Sequence, residues 1–177
     1  MKDITVVLKN LSTQEIKLDD AQALFLKAFI EQDSLYEPST FFSKNHTSAN
    51  LYLWGPVGRG KTMLLQALQD SYFLDAGQFH FIEFMQLVHK KLSEFSGNSD
   101  PLLKVVKSLS NDYKIIFIDE FQIEDIADAM IIGTLIEALS NKGIRVLISS
   151  NSHPDNLYKD GLQRAKFLKT IKFINKN

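Results

Sequence analysis

The spacing of apolar positions changes several times along the chain, and each change marks an element. From Leu18 to Gln32 they fall at Ala21, Leu24, Phe25, Ala28 and Phe29, which predicts a helix, with Asp19 and Asp20 placed where the positive end of its dipole favours acids. Residues 33–50 mix Pro38, serines, asparagines and His46 with little periodicity and read as an irregular connection. Leu51–Trp54 is a short apolar run that predicts a strand and ends in a glycine-rich turn; Thr62–Phe73 then sets Leu64, Leu65 and Leu68 on one helical face. Gln78–Ile82 is a second strand candidate. Helices are expected over Glu83–Phe95 and Pro101–Leu109, the latter with Asp100 as N-cap and Pro101 at the first helical position.

Ile115–Ile118 is a continuous branched and aromatic run, the pattern of a strand buried on both faces of a parallel sheet. Ile126–Leu139 predicts an apolar-rich helix with Gly143 at its C-terminal cap, Val146–Ile148 a fourth strand, and Asp155–Asn177 a last helix. Strands alternating with helices require right-handed crossovers. The expected fold is therefore α/β, a three-layer αβα sandwich on an open parallel sheet, with residues 1–50 as an N-terminal helix and connection and residues 51–177 as the core.

Composition narrows the class. A chain of 177 residues, 45% hydrophobic and 23% charged, suits one soluble domain and excludes disordered and collagen-like classes. A formal net charge of -1 gives no global attraction to nucleic acid or anionic membrane, so either partner would need a local patch. The lack of cysteine rules out a disulfide framework, a thiolate metal site and a thiol nucleophile, and it fits a reducing compartment, so the cytoplasm is the expected location. Val6–Leu8 is too short an apolar core for a signal peptide, and nothing later reads as a membrane span.

The turn after the first strand carries the chemistry. Gly55-Pro56-Val57-Gly58-Arg59-Gly60-Lys61-Thr62 matches G-x-x-x-x-G-K-[ST], with a strand before it and a helix after it. The glycines let backbone amides converge on phosphate oxygens, Lys61 reaches the β and γ phosphates, and Thr62 offers a hydroxyl to Mg²⁺. At the end of the buried strand stand Asp119 and Glu120. Asp119 is the candidate Mg²⁺ holder, and Glu120 the candidate that orients and polarises an attacking water. Neither N-K-x-D nor D-x-x-G occurs, which favours ATP over GTP as the nucleotide.

Asn151, after the fourth strand, is placed to hydrogen-bond the γ-phosphate or the water; the plain alternative is a turn asparagine before Pro154. Among the arginines, Arg59 lies in the loop and Arg145 should start the fourth strand at the end remote from phosphate. Arg164 is left as the candidate arginine finger toward a neighbouring subunit, or else an exposed helical cation. His46, His80, His89 and His153 show no ligand spacing and are expected on the surface or in the core, with no metal beyond Mg²⁺.

The chain resembles the ZapE family of bacterial cell-division ATPases and their mitochondrial relatives, within the AAA+ class. The likeness rests on Leu51–Gly55 leading into Val57–Met63, on His80–Met85, on Asp119–Gln122 with Asp125–Met130, and on Ser150-Asn151 with Leu157–Arg164. It adds Met63 to the nucleotide-binding residues and implies an ATPase acting on a protein partner. For bacterial members the resemblance implies FtsZ as that partner, with peripheral membrane association through partners; for mitochondrial ones it implies membrane-protein quality control. A homo-oligomer is expected. Pro56, Ile82 and Ser152 depart from the family's usual Gly, His and Arg. The class orders its strands 5-1-4-3-2, and the resemblance implies a fifth strand beyond Asn177, leaving the phosphate-loop strand at an edge and the stripe Phe167, Leu168, Ile171 and Ile174 short of cover. Two other readings stay open. One is a helicase-loader-like ATPase on single-stranded DNA, from the strip Lys159, Arg164, Lys166, Lys169, Lys172 and Lys176; the other is a nucleotide-binding module without turnover.

Overall fold

The structure, a computed structural model, describes Val7, Leu11 and residues 18–35, 50–72 and 76–176. Most of the irregular connection expected over residues 33–50 lies outside them. The chain runs α1 (Asp20–Leu35), β1 (Leu51–Trp54), α2 (Lys61–Tyr72), β2 (Ala76–His80), α3 (Phe81–Glu94), α4 (Pro101–Asp112), β3 (Ile115–Asp119), α5 (Ile126–Asn141), β4 (Arg145–Ser150), a 3-10 turn (Pro154–Asn156) and α6 (Arg164–Lys176). All strand pairs are parallel, in the order β1-β4-β3-β2, so β1 is an edge strand among the described residues.

The central strands are covered on both faces, as their continuous apolar sequence requires. Ile115, Phe117 and Leu147 face one side, where Leu64, Leu65 and Leu68 of α2, Leu26 and Phe29 of α1, and Val7 and Leu11 bury against them. Ile116, Ile118, Val146 and Ile148 face the other, packed with α3, α4, α5 and α6. Helices on both faces of one parallel sheet make the expected three-layer α/β sandwich. No described helix is long and apolar enough to cross a membrane.

Caps behave as their sequence suggests. Asp100 accepts from the Leu103 amide at 3.1 Å at the start of α4, and Asp125 accepts from Ala127 at 2.6 Å at the start of α5. Gly143, just past α5, takes φ 78° and returns its amide to the Ser140 carbonyl at 2.9 Å.

Three expectations are corrected. The second strand is Ala76–His80, not Gln78–Ile82. Glu83 accepts from the His80 amide at 3.2 Å and so starts α3 at Phe81, whose ring enters the core 4.9 Å from Phe121. The last helix begins at Arg164 rather than Asp155, because Tyr158 and Gln163 adopt φ of 52° and 57°, which a right-handed helix cannot continue. The stripe on α6 does not lack cover: Phe167, Ile171 and Ile174 are buried in the core shared with α5, and Leu168 alone of the four is exposed. Close approach explains this, since a Cβ on Gly133 of α5 would run into the Thr170 side chain of α6.

Candidate active site

Because β1, β4 and β3 are neighbours and parallel, their C-terminal ends open at one edge of the sheet, the edge at which such sheets hold ligands. The loop leaving β1 begins by extending the ladder, with the Gly55 amide donating to the Ser150 carbonyl at 3.2 Å. Gly58 and Gly60 then take φ of 80° and 72°, in the left-handed region that favours glycine. At Gly58 an added Cβ meets nothing within 4 Å, so the residue is required by its backbone angle; at Gly60 it would also approach Gln22 Nε2 at 2.9 Å. Helix α2 starts at Lys61, so its first amides, which have no partner within the helix, open at this loop.

Lys61 Nζ donates to the carbonyls of Gly55 at 2.8 Å and Pro56 at 2.9 Å, and to Asn151 Oδ1 at 2.9 Å. An ammonium has three donors, so all are engaged. Lys61 and Asn151, picked separately in the sequence, meet here from β1's loop and the end of β4. Thr62 is exposed in the first turn of α2, and Met63 lies partly buried behind the loop, its Cε 3.3 Å from the position of a Gly60 Cβ.

The loop is also tied to the helix before it. Asp19 and Gln22 exchange backbone and side-chain bonds of 2.9 Å at the start of α1, a capping box. Gln22 Nε2 also donates to the Arg59 carbonyl at 3.0 Å, and Asp19 pairs with the Arg59 guanidinium at 3.5 Å. Arg59 is thereby turned toward α1.

Asp119 ends β3 and is 2% exposed. Its Oδ1 accepts from the Ser149 hydroxyl and, at 2.9 Å, from the Glu120 amide, whereas its Oδ2 is buried with no hydrogen-bond partner. A buried carboxylate oxygen left so is costly unless a cation or water completes it. Magnesium fits this donor set: it takes hard oxygens, keeps several of its waters, and needs only one or two protein ligands. Asp119 Oδ2 and the Thr62 hydroxyl are the candidate ligands. Among the described residues no cluster of three or more His, Cys, Asp or Glu forms a cage for another metal.

Glu120, the next residue, has φ 53° and a largely exposed side chain, with Oε2 3.9 Å from His80 Nδ1. A left-handed φ at a non-glycine residue costs roughly 1 kcal/mol, and the surrounding turn holds it there. His80, read from the sequence as a surface or core histidine, is exposed, and it ends β2 directly opposite Asp119 in the strand register.

Behind these groups runs a polar seam. The Phe121 amide donates to the Ser149 carbonyl at 2.8 Å, and the Ser150 hydroxyl to the Phe121 carbonyl at 2.7 Å. The Ser152 amide donates to the Ser150 hydroxyl at 3.1 Å, and Tyr52 of β1 donates to the Ser152 carbonyl at 2.9 Å. Burial pushes the Tyr52 phenol up to about 12, against a smaller opposing effect of a hydrogen bond with Ser150. The seam ties together the ends of β1, β3 and β4.

Arg145 begins β4 at the remote end of the sheet, over the Phe29 ring at 4.6 Å. Arg164 sits at the start of α6 and donates from Nη2 to the Asp155 carbonyl at 2.6 Å. The Asp155 carboxylate accepts from Asn175 at 2.9 Å, so Arg164 braces the turn after Asn151 within its own chain.

The sequence model of AFG1-like ATPases matches residues 5–177. The chain belongs to the AFG1-like ATPase family. It is 40% identical over 136 residues to the cell division protein ZapE of Escherichia coli (strain K12), covering 76% of this chain and 36% of that protein. It is 36% identical over 143 residues to lactation elevated protein 1 homolog B of Danio rerio, covering 73% of this chain and 28% of that one. The chain thus spans about a third of the length of these relatives. The solved replication initiator DnaA bound to AMPPCP and single-stranded DNA superposes with a TM-score of 0.62 at 15% identity, over 96% of this chain and 48% of that one, a likeness of fold.

Proposed function

We propose that this chain binds ATP with Mg²⁺ and hydrolyses it, and that hydrolysis drives action on a protein partner of the cell-division kind. The observation that carries the reading is the meeting of Lys61 Nζ with Asn151 Oδ1 at 2.9 Å inside the glycine loop. A lysine held there by exchangeable bonds is poised for an incoming anion: β and γ phosphate oxygens replace the Gly55 and Pro56 carbonyls, and Asn151 is left beside the γ-phosphate. The loop residues Gly55 to Met63 and the start of α2 hold the phosphate tail. Thr62 and Asp119 would hold magnesium, which would supply positive charge against the negative charge that develops in phosphoryl transfer.

Glu120 takes the catalytic role. Its exposed carboxylate orients a water in line with the γ-phosphorus and accepts the water's proton as the new P–O bond forms and the bond from the γ-phosphorus to the departing ADP oxygen breaks. Arg164, released from the Asp155 carbonyl, serves the γ-phosphate of a neighbouring copy in a homo-oligomer. Its present bond is to a neutral acceptor, which a polyphosphate outcompetes. The cytoplasm is the setting this reading requires, and FtsZ is the first partner to test, since ZapE is a cell division protein.

The test is a fluorescent-ATP titration with steady-state phosphate release, on the parent and Glu120→Gln. Binding should persist in both, and turnover should fall at least about 100-fold in the variant. Parent protein that is folded yet binds no nucleotide in Mg²⁺ would refute the reading. Binding with no turnover in either would leave a nucleotide-binding module. Stimulation by single-stranded DNA, and not by FtsZ, would move the partner to nucleic acid.

A further inference from the structure

Ser149 is the next-to-last residue of β4, where the residues before it, Val146, Leu147 and Ile148, are all buried and apolar, and it is itself 0% exposed. A hydroxyl at such a position loses hydration and is retained only where it makes a bond. Its bond is to Asp119 Oδ1 on the neighbouring strand. The backbone of the same residue is engaged as well, its carbonyl accepting from Phe121 at 2.8 Å, so the hydroxyl has a fixed origin from which to act.

The consequence for Asp119 is an asymmetry. Oδ1 receives two donors, the Ser149 hydroxyl and the Glu120 amide at 2.9 Å, while the equally buried Oδ2 receives none. A carboxylate with a purely structural task is satisfied at both oxygens. The terminal torsion of aspartate is soft and roughly two-fold, so nothing intrinsic keeps one oxygen in one place. We propose that Ser149 is a positioning residue: by donating its hydroxyl to Oδ1 it fixes the rotation of the Asp119 carboxylate and keeps Oδ2 as the oxygen left free for magnesium. The serine touches neither metal nor nucleotide. It acts through Asp119, as partners of metal-ligating carboxylates do, and such partners are worth about 10- to 100-fold in metal affinity.

This inference rests on the assignment of Asp119 to the metal, and the experiment separates the two. The ratio of fluorescent-ATP affinity in Mg²⁺ to that in EDTA is measured for the parent, Ser149→Thr, Ser149→Val, Ser149→Ala and Asp119→Asn, with a Mg²⁺ titration of each at fixed nucleotide. Thr and Val have the same shape and differ in the hydroxyl, so strain from the added methyl cancels between them. Ala reads the same loss without added volume should the larger residues impair folding. Ser149→Val and Ser149→Ala are expected to lose about tenfold of the Mg²⁺-dependent tightening and to need about tenfold more Mg²⁺ for half effect, with affinity in EDTA unchanged. Ser149→Thr should keep the parent ratio. A merely structural role would lower melting temperature and leave the ratio alone. If Ser149→Val or Ser149→Ala keeps the ratio while Asp119→Asn abolishes it, the serine has no such role. If Asp119→Asn also keeps the ratio, the metal assignment fails, and the inference falls with it.

Discussion

Asn50 precedes β1 by one residue, and replacing it with alanine should destabilise the protein far more than its place at the end of a polar connection suggests. Its side chain does the work of one more strand residue. Oδ1 accepts from the Val146 amide at 2.8 Å, just beyond the point where Leu51 pairs with Leu147, and Nδ2 donates to the Ser140 hydroxyl at 2.6 Å. Asn50 is 7% exposed, so water does not simply replace it. Truncation leaves the Val146 amide buried without an acceptor, at about 1–3 kcal/mol, and removes a neutral hydrogen bond from Ser140 worth about 1 kcal/mol. Ser140 itself keeps its bond to the Ile136 carbonyl at 3.0 Å and adds no further penalty. The sum is about 3 kcal/mol. For a domain of this size each kcal/mol lowers the melting temperature by about 2–4 °C, so Asn50→Ala should melt roughly 6–12 °C below the parent in a calorimetric scan. Ser140→Ala, which removes the hydroxyl's bonds to Asn50 and to the Ile136 carbonyl but leaves the ladder bond from Val146 in place, should fall by less. Saturating Mg-ATP should raise both variants by the same increment as the parent, because the phosphate loop leaves the opposite end of β1. A drop of less than about 2 °C for Asn50→Ala would show that the side chain is not holding the ladder.

Other consequences are open to direct measurement. Asn151→Ala should lower the turnover number about 100-fold while changing ATP affinity by less than about threefold, as expected for a group whose contact matters most at the developing γ-phosphate charge; an equal loss in both would make it a simple binding residue. Gly133→Ala should cost about 1–3 kcal/mol in urea unfolding, because its methyl enters the space of Thr170, and Gly133→Ala with Thr170→Ala should recover much of that loss. Tyr52 titrates near 10 when unfolded and is raised to about 12 when folded, so its contribution is complete below pH 10 and is lost as pH climbs through 12. Unfolding free energy should therefore drop by up to about 2 kcal/mol more between pH 9 and 11.5 in the parent than in Tyr52→Phe; equal slopes would mean the phenol is not desolvated.

What the sequence disclosed, and what it hid, divides along one physical line. Gly55 to Thr62, Asp119 and Glu120 were legible because the role proposed for each rests on its own chemistry, in a fixed order along a short stretch. β3 was legible because a run buried on both faces has no polar position to confuse it. The groups that support the site were not. Ser149 bonds across 30 residues of sequence, Gln22 across 37 and Asn50 across 96. A serine near the end of a strand has the same sequence neighbours whether its hydroxyl meets water or a buried carboxylate. A glutamine in the first turn of a helix gives no sign that its amide will reach the carbonyl of Arg59. The misplaced β2 has the same origin: Gly77 reads as a strand breaker, yet the Tyr113 ring lies 3.0 Å from where its Cβ would be, so glycine is what lets the strand lie there. With β2 shifted, His80 seemed to lie within a strand rather than at its tip beside Glu120. Local pattern thus reports the groups proposed to meet the nucleotide, while the groups that hold them in place depend on sheet order. Once the order β1-β4-β3-β2 is known, the inward polar residues at the strand ends, Ser149 and Ser150 above all, become the ones to mutate.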